Sequence, residues 1–92
     1  MSIEKSVEIK NRTGLHARPA AQFVQKAGQF ESKINIIHEG KEVNAKSIMG
    51  VMSLGAGKGN KITIKAEGED SEQAVKELVD FIEIEMPKED EE

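Results

Sequence analysis

The chain has 92 residues, no cysteine and a formal net charge of −4. This length suits one domain with a modest core, and the lack of cysteine excludes a disulfide framework and a cysteine-based zinc site, so we expect no metal and no other cofactor. The acidic balance disfavours nucleic acid as a partner. The chain has neither an apolar run of roughly 18 residues nor the apolar core of a signal peptide, so we expect a cytoplasmic protein without membrane insertion.

The N-terminal half predicts a strand, a helix, a hairpin and a short helix. Alternating apolar residues indicate a strand over residues 3–9, followed by a turn at residues 11–14. Apolar residues at helical spacing indicate a helix over residues 17–27, with Gly28 at its end. Residues 33–38 and 41–45 form the two arms of a hairpin around Glu39 and Gly40. Residues 47–54, rich in Met and Ile, indicate a short helix that leads into a glycine-rich, flexible connection.

The C-terminal half predicts a fourth strand over residues 62–67 and a last helix capped by Asp70 or Ser71. An apolar stripe runs along this helix: Ala74, Val75, Leu78, Val79, Ile82 and Met86. The order βαββαβα predicts an α+β open-faced sandwich, with a four-stranded, mostly antiparallel sheet and three helices on one face. We expect a single domain over residues 1–86 and an acidic, disordered tail over residues 87–92.

The residues suited to chemistry concentrate in the segment TGLHARPA, residues 13–20. Pro19 belongs in a first helical turn, where its missing N–H would have no intrahelical partner, so His16 is placed at a helix N-terminus. The backbone amides of Ala17 and Arg18 and the Arg18 guanidinium would then attract an anion such as a phosphoryl group beside a nucleophilic imidazole. A residue before proline avoids helical dihedrals, which allows the helix start to shift by one residue.

Histidine near a helix start is more often a plain surface residue than a reactive one. The case for a reactive His16 therefore rests on its neighbours, Gly14, Arg18 and Pro19. His38 lacks such neighbours. It lies in a predicted strand beside Glu39, far from any arginine, proline or helix terminus, and we predict that it is structural or solvent-facing.

Two segments, GLHARPA at residues 14–20 and NAKSIMGVMSL at residues 44–54, resemble the phosphorylation-site and regulatory signatures of the HPr family of phosphocarriers. The resemblance covers residues 1–86. It implies that Nδ1 of His16 accepts a phosphoryl group from enzyme I, itself phosphorylated by phosphoenolpyruvate, and donates it to IIA domains of sugar permeases. By position, Arg18 would hold the phosphoryl group and Thr13 would supply a nearby hydroxyl.

Ser47 begins the short helix, where serine is most often an N-cap. The segment after it has more apolar residues than one narrow helix face can bury, so we expect Ile48, Met49 and Met52 to form an exposed docking patch. The resemblance implies that enzyme I, IIA domains and an ATP-dependent HPr kinase/phosphorylase dock there. It also implies that the kinase phosphorylates Ser47, which would slow transfer from enzyme I and create a surface for a catabolite-control repressor.

Three alternatives remain open. A purely regulatory HPr-like module would keep the Ser47 signature but replace the reactive histidine, whereas His16 is present here. A nitrogen-branch phosphocarrier would not serve sugar uptake, and the KSIMG stretch at residues 46–50 favours the sugar branch. An unrelated interaction domain would transfer no phosphate. In the favoured hypothesis the chain is consumed and regenerated in each cycle, so we expect a carrier rather than an enzyme, and a monomer with small, transient interfaces.

Overall fold

A computed structural model describes residues 2–90 of the chain, with side chains described through Lys88. Within this range the sheet has four strands: β1 (Ser2–Glu8), β2 (Lys33–His38), β3 (Lys41–Asn44) and β4 (Lys61–Glu67). Their order is β1-β4-β2-β3, and the three pairings are antiparallel. The helices are α1 (Ala17–Ala27), α2 (Ile48–Met52) and a C-terminal helix that starts as α3 (Ser71–Asp80). The predicted α+β architecture and element order are confirmed.

The alternating pattern of the strands places one sheet face in the core. In β4 the side chains of Ile62 and Ile64 are buried, while Thr63 between them is only partly covered. Ile64 faces Ile36 of β2 across the ladder, so apolar pairs line the covered face of the sheet. This burial of one face in an antiparallel sheet is what the period of two in the sequence predicts.

The C-terminal helix covers that face with the predicted stripe, all of which is buried: Ala74, Val75, Leu78, Val79, Ile82 and Met86. After α3 the helix passes through a π-helical turn (Phe81–Glu85) into α4 (Met86–Asp90). The N–H of Met86 bonds to the carbonyl of Phe81, five residues earlier, so this wide turn aligns both side chains toward the core. Phe81 in turn contacts Phe23 of α1, with ring centroids 6.1 Å apart.

The end of the chain differs from the sequence prediction, because residues 87–90 are helical where a disordered tail was expected. A π-helical turn that ends at Glu85, two residues before Pro87, precedes this segment. Residues 91 and 92 lie outside the described range. The proposed limit of the domain at residue 86 stays a prediction.

Asp70 occupies the N-cap position of α3, but its carboxylate makes no capping bond there. It instead accepts hydrogen bonds from the backbone N–H groups of Glu31, at 2.8 Å, and Ser32, at 2.9 Å, and from the Ser32 hydroxyl. The Ser32 hydroxyl, followed by the Glu31 amide, holds the pKa of Asp70 below its ordinary value. The carboxylate therefore ties the connection between α1 and β2 to the start of the C-terminal helix.

Candidate functional site

His16 is the N-cap residue of α1, with an extended backbone (φ −101°, ψ −177°) and an exposed side chain. Its carbonyl accepts the first helical hydrogen bond, from Ala20 N at 2.7 Å. Pro19 therefore falls in the first turn, where its missing N–H costs nothing. The helix start does not shift despite the conformational preference of a residue before proline, because α1 begins at Ala17.

The first turn of α1 offers a positive environment next to His16. Ala17 and Arg18 are exposed, and within the described residues this turn holds no acidic side chain. The amides at the start of a helix lack intrahelical acceptors and carry the positive end of the macrodipole. Together with the Arg18 guanidinium, they can stabilise an oxyanion on a group bound to the imidazole.

The turn that leads into His16 is organised by Asn11, a residue to which the sequence assigned only a turn. Asn11 is 2% exposed, and its Nδ2 donates hydrogen bonds to the Gly14 carbonyl at 2.9 Å and to Thr13 Oγ1 at 3.3 Å. Thr13 itself is exposed. Val7, Ile9 and Asn11 are spaced two residues apart, and all three are buried. The sequence could have indicated a special role for Asn11, because a polar residue stands where this alternation predicts a core-facing apolar one.

The segment after α2 supports the same turn from the other side. Leu15 N donates to the carbonyl of Ala56 at 3.1 Å, which joins the residue before His16 to this segment. Gly14 adopts φ +65°, and a Cβ there would lie 2.5 Å from the Ala56 oxygen and 2.6 Å from Gly57 Cα. The glycine-rich connection that the sequence described as flexible is thus packed against the loop that carries His16.

The predicted docking patch, composed of Ile48, Met49 and Met52, is exposed. Met49 is 76% exposed, whereas Val51 of the same helix is buried in the core. Helix α2 contacts α1, so the patch lies beside the helix that begins after His16. Exposed clustered apolar side chains of this kind mark interaction surfaces in proteins.

Ser47 is the N-cap of α2, and its Oγ accepts a hydrogen bond from Gly50 N at 3.1 Å. The N-cap interpretation from the sequence is confirmed. The side chain is partly exposed, and the next residue in the chain, Ile48, belongs to the docking patch. A charge added at Ser47 would therefore change the surface that the patch presents to a partner.

His38 lies outside this site and is buried, so of the two roles that the sequence left open, structural or solvent-facing, the structure agrees with the structural one. A ring nitrogen, Nδ1, lies 3.2 Å from the carbonyl of Leu54, which can only accept, so Nδ1 carries the proton of that bond. Lys41, the strand partner of His38, donates from Nζ to the Ser53 carbonyl at 3.1 Å. The β2–β3 hairpin thus holds the C-terminal end of α2, a support that sequence analysis did not identify.

Among the side chains that the structure describes, those of residues 2–88, no group of three histidine or carboxylate side chains is placed to hold a metal ion. No helix in the same range has the length and apolar character needed to cross a bilayer.

Residues 3–84 match the family model of the PTS HPr component phosphorylation site. The HPr-like protein Crh of Halalkalibacterium halodurans is 57% identical over 81 residues, which cover 88% of this chain and 96% of Crh. The phosphocarrier protein HPr of Bacillus anthracis superposes with a TM-score of 0.87 at 49% identity, covering 89% and 98% of the two chains. Crh of Bacillus subtilis, whose structure is described as a swapped dimer, gives a TM-score of 0.72 at 46% identity and covers 87% and 92%.

Proposed function

The chain belongs to the HPr family of the phosphotransferase system, and we propose that it is a phosphocarrier that accepts a phosphoryl group on His16. The donor is enzyme I, phosphorylated by phosphoenolpyruvate, and the acceptors are IIA domains of sugar permeases. The observation that carries the proposal is the exposed imidazole at the N-terminus of α1, directly before Ala17 and Arg18.

In the proposed transfer, a lone pair on the neutral imidazole of His16 attacks phosphorus. The bond from phosphorus to the donor breaks and its electron pair stays with enzyme I, while a phosphorus–nitrogen bond forms on His16. The first-turn amides and Arg18 stabilise the charge on the phosphoryl oxygens. In the second transfer a nucleophile of the IIA domain attacks phosphorus, the phosphorus–nitrogen bond breaks, and its electron pair returns to the imidazole of His16. In this scheme the chain is a substrate that is regenerated, and its partners supply the catalysis.

The docking patch supports the partner side of the proposal. Ile48, Met49 and Met52 offer an apolar surface beside α1, where enzyme I and IIA domains would bind in turn. HPr kinase/phosphorylase would phosphorylate Ser47 at the edge of the patch, and a catabolite-control repressor would bind the product. The proposal places the carrier in the cytoplasm. A monomer remains our expectation, although the Bacillus subtilis relative is described as a dimer.

A pulse-chase experiment tests the carrier function. The chain is labelled with enzyme I and labelled phosphoenolpyruvate, enzyme I is removed, and a purified IIA domain is added. We expect label to leave the chain and appear on the IIA domain. Label that stays on the chain in the presence of several IIA domains, including those of sugar permeases, would contradict the proposed role in sugar uptake and favour the nitrogen branch.

The second candidate function is that of a regulatory HPr-like module. It is favoured by the relative from Halalkalibacterium halodurans, a Crh protein at 57% identity. This function predicts acid-stable label from ATP and a kinase on Ser47, and no acid-labile label from enzyme I. The presence of His16 in the chain favours the carrier. Measuring both labels on the same preparation separates the two.

A further inference from the structure

We propose that Asn11 is a positioning residue that orients the backbone leading into His16 for phosphoryl transfer. The inference rests on the proposed function, to which it adds a residue that does not touch the transferred group. Asn11 is nine-tenths or more buried and lies five residues before His16, where the inward-facing series of β1 runs into the turn.

The side chain of Asn11 bridges the turn through its two amide hydrogens. Nδ2 donates to the Gly14 carbonyl at 2.9 Å and to Thr13 Oγ1 at 3.3 Å. In addition, the backbone N–H of Gly14 donates to the backbone carbonyl of Asn11 at 3.4 Å. The orientation of the amide is determined by chemistry, since a backbone carbonyl only accepts and Nδ2 must therefore face Gly14. One buried side chain thus connects the start of the turn to the residues just before His16.

Core packing alone does not account for an asparagine at this position. Its Oδ1 is buried and has no hydrogen-bond partner among the described residues. A buried polar atom without a partner is unfavourable, and an apolar side chain at the same inward-facing position would avoid that cost. The benefit that offsets it is the pair of bonds from Nδ2, which an apolar side chain cannot make.

The residues before His16 are held from a second direction as well. Leu15 N donates to the Ala56 carbonyl at 3.1 Å, and Gly14 packs against Gly57. Removing the Asn11 side chain would delete both bonds from Nδ2 to the turn, so His16 would sample more orientations and fewer that suit attack on phosphorus. The bonds from Asn11 Nδ2 go to Thr13 and Gly14, whereas the docking patch is on α2, so we expect partner affinity to be preserved.

The test compares Asn11→Ala with the wild type and with Asn35→Ala as a matched control. Asn35 also donates from Nδ2 to another side chain, Glu42, at 2.7 Å, but in the β2–β3 ladder. Initial rates of label transfer from enzyme I are measured over a range of enzyme I concentrations and divided by the folded fraction from circular dichroism. We expect the maximal rate of Asn11→Ala to fall at least about tenfold, with an unchanged half-saturation concentration and an unaffected Asn35→Ala.

A milder variant and a spectroscopic measurement keep the inference testable if Asn11→Ala does not fold. Asn11→Ser retains one hydrogen-bond donor, and we expect a maximal rate between those of the wild type and Asn11→Ala. A maximal rate per folded molecule equal to that of the wild type in both variants overturns the inference. A change confined to the half-saturation concentration also overturns it, because Asn11 would then act through docking.

Failure of the proposed function is recognised separately, because the wild type itself would then take up no label. In that case NMR spectra still test whether the Asn11 side chain sets the conformation of the loop before His16. We expect the ring-proton signals of His16 and the amide signal of Leu15 to shift in Asn11→Ser and not in Asn35→Ala. Unshifted signals in Asn11→Ser would show that the side chain does not set the conformation of this loop.

Discussion

At the residue scale, the exposed imidazole of His16 owes its position to local chemistry on both sides. Pro19 and the first-turn amides follow it in α1, while Gly14 and Leu15 precede it in a loop pressed against the segment after α2. The first of these features is readable from the sequence, because the helix start depends on neighbouring residues. The second is not, because Ala56 approaches from a distant part of the chain.

Gly14→Ala should destabilise the protein more than Gly55→Ala. The two glycines have nearly the same positive φ, +65° and +63°, so both variants incur the left-handed strain of about 1–2 kcal/mol. A Cβ at Gly14 also collides with the Ala56 carbonyl, which adds about 1–3 kcal/mol, whereas Gly55 has open space around it. Urea unfolding of both variants measures the difference, and equal destabilisation would show that the contact with Ala56 is not tight.

At the element scale, α2 has a capped N-terminus, an exposed apolar face and a C-terminal end that the β2–β3 hairpin supports. Val51 anchors the helix in the core, while Met49 projects into solvent. At five residues, α2 is too short to be stable in isolation, so its shape depends on the Ser47 cap and on the bonds from His38 and Lys41. A small change at either end can alter the docking patch without disturbing the sheet.

Met49→Ser should weaken the encounter with enzyme I and leave the fold intact. Because the side chain is 76% exposed, the free energy of unfolding should change by less than about 0.5 kcal/mol. The half-saturation concentration of enzyme I should rise roughly five- to thirtyfold, which corresponds to about 1–2 kcal/mol of lost contact. Ile84→Ser is the matched control, since Ile84 is 51% exposed on the C-terminal helix. An equal rise in the half-saturation concentration with Ile84→Ser would contradict a docking patch that is specific to α2.

Ser47→Asp and Ser47→Ala should have opposite effects on stability and transfer. Aspartate can still accept the hydrogen bond from Gly50 N, so Ser47→Asp keeps the cap, while its charge slows transfer from enzyme I. Ser47→Ala loses the cap and about 1 kcal/mol of stability, but it introduces no charge beside the docking patch, so we expect it to slow transfer far less than Ser47→Asp does. Thermal unfolding and label-transfer rates of both variants check this, and wild-type transfer by Ser47→Asp would rule out regulation through Ser47.

At the scale of the whole molecule, the sheet, the helix order and the apolar stripe of the C-terminal helix were all predictable, because each depends on periodicity within one segment. Contacts between distant segments were not. Asp70 is the N-cap residue of α3, one of the two positions predicted, but its carboxylate bonds to Glu31 and Ser32, 39 and 38 residues away in sequence, and makes no capping bond. The π-helical turn over Phe81–Glu85 and the helical backbone after Pro87 were not predicted either, because the apolar period of the segment does not distinguish them from a regular α-helix and a tail.

Asp70 should make the stability of the whole fold depend on pH in the acid range. Its pKa is lowered in the folded state by the Ser32 hydroxyl and the Glu31 amide, so the stabilisation is fully present above the ordinary value of 3.8. It is lost as pH falls from there through the folded-state value. Urea unfolding between about pH 2 and pH 6 should therefore show a shallower pH dependence in Asp70→Asn than in the wild type. Glu69→Gln serves as the control, and a dependence unchanged in Asp70→Asn would contradict this assignment.

The most direct measurement is the transfer of label from phosphoenolpyruvate to the chain in the presence of enzyme I and Mg²⁺. It compares the wild type with His16→Ala and with His38→Gln, which removes the other histidine of the chain. The phosphocarrier account predicts acid-labile label on the wild type and His38→Gln, and none on His16→Ala. Acid-labile label that persists on His16→Ala, or a wild type that stays unlabelled while a known HPr is labelled in parallel, would contradict it.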